Sequence, residues 1–128
     1  MIALSLVLAA LAAAVHVYIF VLESVLWTAP RGRATFGTTA EEAVATRELA
    51  FNQGFYNLFL AIVTVVGVVL VAADQTAAGT ALVFAGAGSM VLAGIVLLVS
   101  SPSKARAALV QLSVPAVALL TMAVGLAA

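Results

Sequence analysis

Hydrophobic residues fill four long stretches of the chain, and short polar segments separate them. The stretches run over about residues 2–27, 45–72, 77–100 and 107–127. Each is long enough to cross a bilayer as an α-helix, which takes about 20 residues. Because the connections are short, consecutive helices should pack side by side in opposite directions. The pattern predicts an all-α, integral membrane four-helix up-down bundle, with residues 1–128 forming a single domain.

The first connection combines turn-forming residues with a helix start. Pro30 and Gly37 predict turns, whose irregular backbone cannot stay in hydrocarbon. Thr39 followed three residues later by Glu42 matches a capping box. The second helix should therefore begin near residue 40, in water or among lipid head groups, and continue into the second span.

The composition is that of a chain whose main solvent is lipid. Hydrophobic residues make up 66% of the sequence and charged residues 8%, against roughly 45–50% and about 25% in soluble domains. The formal net charge is zero, so no basic stripe exists for a nucleic-acid partner. The absence of cysteine excludes disulfides and thiolate metal sites. We therefore expect the lipid bilayer as the main partner, and we expect no cofactor.

The first stretch could instead be a secretory signal peptide. No Lys or Arg precedes its apolar run, and the run continues well past the alanine tract at residues 12–14. Both features depart from the signal-peptide pattern. We therefore expect this stretch to be kept as a membrane span.

Basic residues in the connections predict the orientation of the protein. Residues 28–40 and residues 101–106 each carry two Lys or Arg side chains, whereas the middle connection carries only Asp74. Basic loops tend to stay in the cytoplasm. Both basic connections should therefore be cytoplasmic, with both termini on the non-cytoplasmic side.

Most strongly polar side chains of the spans fall in the first two. His16, Glu23 and Trp27 share one face of the first helix, because their spacing follows the helical repeat. In the second span, Glu48 and the uncharged polar side chains occupy half of the helix circumference. An ionisable group inside a bilayer is costly and is a functional hypothesis by default. The candidates for ligand or proton binding are His16, Glu23, Trp27, Glu48, Asn52, Gln53, Tyr56 and Asn57.

Depth along the two helices predicts which of these side chains meet. Counting about 1.5 Å of rise per residue from the cytoplasmic ends places Glu23 opposite Asn52. The same count places His16 opposite Tyr56 or Asn57, near the middle of the bilayer. Both polar faces should point inward, since lipid contact would leave these groups without partners.

Each candidate also has a purely structural interpretation. Glu48 could pair with Arg47 at the interface, Trp27 fits the aromatic belt of membrane proteins, and the amides could simply join helices. Glu23 lies deeper and has no opposite charge near it in the sequence, which favours a functional role. His16 with two glutamates could bind a metal ion, but no close ligand spacing is present, so we expect no metal site.

The third stretch has no charge and carries a small residue at every fourth position. Such a stripe lets helix backbones approach closely in lipid. It predicts a helix–helix contact, either within the chain or between copies in a homo-oligomer. The stripe consists of Ala81, Ala85, Ser89 and Ala93.

The polar pattern of the first two stretches resembles a known family. The pattern comprises His16, Phe20, Glu23 and Trp27, a loop with Phe36, and the run Asn52-Gln53-Gly54-Phe55-Tyr56-Asn57 followed by Leu60-Ala61. It is similar to that of small bacterial membrane proteins of domain-of-unknown-function family 1304. The resemblance covers nearly the whole chain. It implies a compact four-span protein of the bacterial cytoplasmic membrane, with no assigned activity.

Three functions are consistent with the sequence, and it leaves open whether the protein is an enzyme. The first and favoured one is binding or transporting a small lipophilic or cationic molecule, with proton coupling through a desolvated acid. The second is an enzyme acting on a lipid or isoprenoid by acid–base chemistry. There, Glu23 or Glu48 would transfer the proton, and His16 or Tyr56 would assist. The third is a structural or assembly protein whose polar groups specify helix pairing.

Overall fold

The computed structural model describes all residues 1–128, and every regular element in it is helical. The six α-helices are α1 (Ile2–Phe20), α2 (Pro30–Phe36), α3 (Ala40–Ala45), α4 (Arg47–Ala72), α5 (Thr76–Ser100) and α6 (Ala105–Ala127). A π-helical turn, Val21–Val25, continues α1, and a 3-10 turn, Pro102–Lys104, precedes α6. Four helical segments are long and apolar enough to cross a membrane: Ile2–Val25, Arg47–Ala72, Thr76–Ser100 and Pro102–Ala127. The predicted all-helical chain with four such segments is confirmed.

Each of the four long helices packs against two of the others. Helices α4 and α6 both contact α1, and both also contact α5. Contacts between α4 and α5 show the direction of packing, since Gly79 of α5 lies against Val71 whereas Gly86 lies against Thr64. The partner on α4 moves backward as α5 moves forward, so these two helices are antiparallel.

Small residues allow the helices to approach closely. Gly67 of α4 and Gly79 of α5 face each other, and a methyl group on either would lie 2.8 Å from the carbonyl oxygen of the other. Lipid provides no hydrophobic force between helices, so close van der Waals packing of this kind carries much of their association. An apolar cluster at the centre of the bundle consists of Ala9, Val83, Ala118 and Met122.

The first connection is more regular than the turn-rich loop predicted for residues 28–40. Helix α2 starts at Pro30, whose fixed φ suits the first turn of a helix, and ends at Gly37 with φ 65°. The capping box predicted at Thr39 and Glu42 is present at the start of α3. The helix does not continue unbroken into the second span, because Thr46 (φ −104°, ψ 6°) interrupts it between α3 and α4.

The stripe of Ala81, Ala85, Ser89 and Ala93 does not form the contact within the chain, because these side chains are exposed. The buried face of α5 instead carries Gly79, Val83, Gly86, Ala87, Met90 and Gly94. Glycine permits closer approach than alanine, which explains why the glycine-bearing face turns inward. Contact between copies through the stripe stays a prediction, which disulfide cross-linking of an Ala85→Cys variant would test.

Candidate functional site

A cavity of about 990 Å³ lies at the end of the bundle that carries the first and third connections. All six helices contribute residues to its wall. Aliphatic side chains of the long helices line its inner part. Helix α2, helix α3 and the 3-10 turn contribute the outer part.

The π-helical turn places Glu23 in the inner wall of this cavity. The turn is closed by the N–H of Leu26, which donates to the carbonyl of Val21 at 2.9 Å. A π turn accommodates an additional residue, and it turns both Leu22 and Glu23 inward. Glu23 is only 9% exposed. Single π turns inside α-helices are frequent at functional sites, so this geometry makes Glu23 a candidate functional residue.

Asn57 of α4 is the hydrogen-bond partner of Glu23. Its Nδ2 donates to Glu23 Oε2 at 2.8 Å, and both side chains are buried. The same Nδ2 lies 3.3 Å from the backbone carbonyl of Gln53. A carboxylate can accept about four hydrogen bonds, so Glu23 keeps acceptor capacity toward the cavity that it lines.

The prediction that Glu23 meets Asn52 is wrong, because Asn52 is exposed and Asn57 is the partner. The backbone register is nevertheless close to the predicted one, since the Ser24 hydroxyl donates to the carbonyl of Phe51 at 2.9 Å. Side chains on a helix lean toward its N-terminus. On antiparallel helices, Glu23 and Asn57 therefore lean toward each other from different depths, which counting Cα positions overlooks.

His16 does not meet Tyr56 or Asn57 as predicted. Its Nδ1 donates to the carbonyl of Ala12 at 2.9 Å, while its Nε2 is buried without a partner. Tyr56 is 68% exposed, and Asn57 is bonded to Glu23. His16 is fully buried, but its side chain does not contribute to the cavity wall. The structure contains no group of three or more His, Cys, Asp or Glu side chains placed to hold a metal ion.

The candidates on α4 divide between the cavity and the outer surface. Gln53, which is also exposed, and buried Asn57 line the cavity. Exposed Glu48, Asn52 and Tyr56 lie outside its wall. The signal that identifies the inner face in the sequence is a series of small residues, which can approach a neighbouring backbone. On α4 these buried small residues are Ala50, Gly54, Ala61 and Gly67.

Trp27 lies in the cavity wall and connects the first span to α4. Its Nε1 donates to the Thr46 hydroxyl at 3.1 Å, at the point where the helix is interrupted. Its ring lies 5.1 Å from that of Phe36, centre to centre. Trp27 is therefore part of the site and not only an interfacial anchor.

The cations of the cavity were not among the predicted site residues. Arg31, Lys104 and Arg106 all line it. The Nε of Arg31 donates to the Tyr18 hydroxyl at 3.1 Å, and its guanidinium carbon lies 5.5 Å from the centre of the Tyr18 ring. Sequence reasoning used these cations only for topology. Lys104 and Arg106 are close in the sequence, but the presence of Arg31 in the same wall depends on how the connections fold over the bundle.

Glu42 also lines the cavity, but it is held by the start of α3. The N–H of Thr39 donates to its carboxylate at 2.9 Å, and its own N–H donates to the Thr39 hydroxyl at 3.1 Å. These hydrogen bonds from Thr39 hold the pKa of the Glu42 carboxyl below its usual value. Glu42 is therefore charged at neutral pH and serves as a cap.

A family model described as "Protein of unknown function (DUF1304)" matches residues 10–123 of the chain. The chain belongs to this family. The resemblance read from the polar pattern is thus confirmed, and every residue that lines the cavity lies within the DUF1304 match. No curated protein and no solved structure matches the chain.

Proposed function

We propose that this protein binds or transports a small lipophilic molecule in the cavity beside Glu23 and Asn57. The observation that carries the proposal is the mixed lining of the cavity, which combines Leu22, Leu97 and Val110 with that hydrogen-bonded pair. Small-molecule sites are mostly apolar with a few convergent polar groups, and they occupy roughly 300–1,000 Å³. The cavity, at about 990 Å³, has that size and character.

The charges in the cavity favour a lipophilic ligand over a cationic one. Three cations and two carboxylates line it. Both carboxylates already accept hydrogen bonds within the chain, Glu23 from Asn57 and Glu42 from Thr39. A cationic ligand would thus meet net repulsion, because the cations outnumber the carboxylates in the wall.

Acid–base catalysis has less support than binding. Its assisting groups, His16 and Tyr56, lie outside the cavity wall, and Glu48 is on the exposed surface. A structural role has one specific observation in its favour, the hydrogen bond between Glu23 and Asn57 that joins two spans. Failure of the binding experiment described below would leave that role as the explanation.

The proposal includes an orientation in a bacterial cytoplasmic membrane. Four Lys and Arg side chains in residues 28–40 and 101–106 favour a cytoplasmic position for the cavity, with both termini on the other side. The chain has no cysteine, so single introduced cysteines report their own side. In intact cells, an impermeant maleimide should label Asp74→Cys and leave Ser103→Cys unlabelled. The reverse labelling would contradict the orientation.

Filling the cavity tests the binding proposal. Ala93 and Ala85 belong to the same exposed stripe of α5, but only Ala93 lines the cavity. The phenyl group of Ala93→Phe should therefore obstruct the cavity, whereas that of Ala85→Phe should not. Trp27 is the single tryptophan and lines the cavity, so its fluorescence reports occupancy.

The measurement is quenching of Trp27 by brominated decanol in lipid nanodiscs. We expect saturable quenching in the wild type and in Ala85→Phe. In Ala93→Phe, the affinity should fall about tenfold, which corresponds to roughly 1.4 kcal/mol. Quenching that never saturates and is equal in all three proteins would mean that the probe only dissolves in the bilayer, and the proposal would be abandoned.

A further inference from the structure

We infer that the ligand of this cavity carries an anionic head group, a phosphate or carboxylate, which binds among Arg31, Lys104 and Arg106. Its apolar part extends inward between the long helices. This inference rests on the proposed function and specifies the chemical class of the ligand.

The first and third connections contribute the cations that line the cavity. Arg31 belongs to α2, Lys104 to the 3-10 turn and Arg106 to the first turn of α6. Lys104 and Arg106 are two residues apart in the sequence, and the fold places Arg31 of the first connection in the wall of the same cavity. Gathering like charges is unfavourable unless something offsets it. The carboxylates of Glu23 and Glu42 in the same wall offset two of the three positive charges, and a bound anion would offset the third.

The groups already present in the cavity leave the cations available. The carboxylate of Glu42 accepts from the backbone of Thr39, and that of Glu23 accepts from Asn57. Arg31 uses its Nε to bond the Tyr18 hydroxyl, which orients the guanidinium. Its two terminal nitrogens remain, and a planar pair of donors suits the oxygens of a phosphate or carboxylate.

Apolar side chains line the same cavity as the cations. Val15 and Ile19 of α1 line the same cavity as Trp27. Val15 precedes the π-helical turn by six residues, which is about 9 Å of helix at about 1.5 Å per residue. A molecule with a charged head and an alkyl chain of medium length would therefore place each part against a matching surface.

Matched probes that share one alkyl chain test the inference. Decyl phosphate, decanol and decyltrimethylammonium, each brominated at the chain end, are titrated against Trp27 fluorescence in phosphatidylcholine nanodiscs. Inorganic phosphate competes as the head group alone. We expect decyl phosphate to bind tightest, decyltrimethylammonium weakest, and inorganic phosphate to displace decyl phosphate only at far higher concentration.

Charge-removing variants identify the contacts. A hydrogen bond to a charged group contributes more to binding than a neutral one. The double variant Lys104→Gln, Arg106→Gln should therefore lower the affinity for decyl phosphate at least about tenfold. Decanol carries no charge, so the same variant should weaken decanol binding far less than decyl phosphate binding. The control is Arg47→Gln, since Arg47 is an exposed cation outside this cavity. It should change neither affinity.

The anionic head group, the alkyl chain and the proposed function are each contradicted by a different result. Equal binding of decanol and decyl phosphate, with no effect of Lys104→Gln and Arg106→Gln, overturns the anionic head group and leaves the proposed function standing. Inorganic phosphate that binds as tightly as decyl phosphate overturns the role of the alkyl chain. If no probe shows saturable binding, both the inference and the proposed function fail.

Discussion

Glu23 and Asn57 depend on each other because of where they lie. Both side chains are buried, and a buried polar group without a hydrogen bond is costly. Their hydrogen bond of 2.8 Å satisfies both side chains and joins the π-helical turn to α4. The pair therefore contributes to the fold at the same place where it shapes the cavity.

Removing the Asn57 amide should destabilise the protein. Interhelical hydrogen bonds in membrane proteins contribute about 0.6 kcal/mol on average, whereas a buried group left without its partner costs about 1–3 kcal/mol. Because Asn57→Ala leaves the Glu23 carboxyl without its donor, we expect a loss of about 1–2 kcal/mol in the free energy of unfolding. Denaturant titration in mixed micelles, followed by far-UV circular dichroism, measures it.

The matched control for this prediction is Asn52→Ala. Asn52 is exposed on the other side of α4, so its removal should change stability by less than about 0.5 kcal/mol. Equal destabilisation by the two substitutions would show that the Glu23–Asn57 hydrogen bond makes no particular contribution to the free energy of unfolding.

The sequence predicted which residues belong to the site more reliably than it predicted which residue each of them contacts. Glu23 and Asn57 were both expected in the site, because polar groups in a span need an internal partner. That they bond to each other could not be read from depth, since side chains lean along the helix. His16 illustrates the other limit. It is buried as expected, but it bonds to its own helix at Ala12.

At the scale of elements, the contact between α1 and α4 depends on Gly54. A methyl group there would overlap the Ser24 hydroxyl and lie 3.0 Å from the Ser24 backbone nitrogen. We expect Gly54→Ala to separate the two helices and to lower the free energy of unfolding by about 1–3 kcal/mol. The same denaturant titration measures the change.

Gly88→Ala provides the comparison, because nothing lies within 4 Å of the added methyl group. Alanine favours helix by up to about 1 kcal/mol over glycine, so this variant should be as stable as the wild type or more stable. If Gly54→Ala were likewise neutral or stabilising, close approach at this position would not be required.

The long helices were predictable because lipid requires long apolar segments with internally satisfied backbones. The π turn at Val21–Val25 was not, because the spacing of its apolar and polar residues fits an α-helix equally well. Helix α2 was missed although Pro30 and Gly37 stand at its two ends. Both residues suit a turn as well as a helix boundary, so composition alone favoured the loop.

For the whole molecule, the hydrophobic composition indicates lipid as the main solvent, and lipid restricts the fold to one whose backbone hydrogen bonds are made internally. A chain that is 66% hydrophobic must bury its backbone hydrogen bonds in helices, which explains why the four apolar segments were found from sequence. The cavity is different. It exists because α2, α3 and the 3-10 turn do not fill the end of the bundle. The periodicity of hydrophobic residues does not predict how the connections pack over the helices.

The position of a bound ligand tests the central claim most directly. A crystal of the protein grown in a lipid phase with brominated decanol would locate bromine by anomalous diffraction. We predict a bromine peak inside the bundle, among Leu22, Leu97 and Val110 and close to Glu23. Bromine peaks found only on the outer faces of the four long helices, with the cavity free of them, would contradict the account.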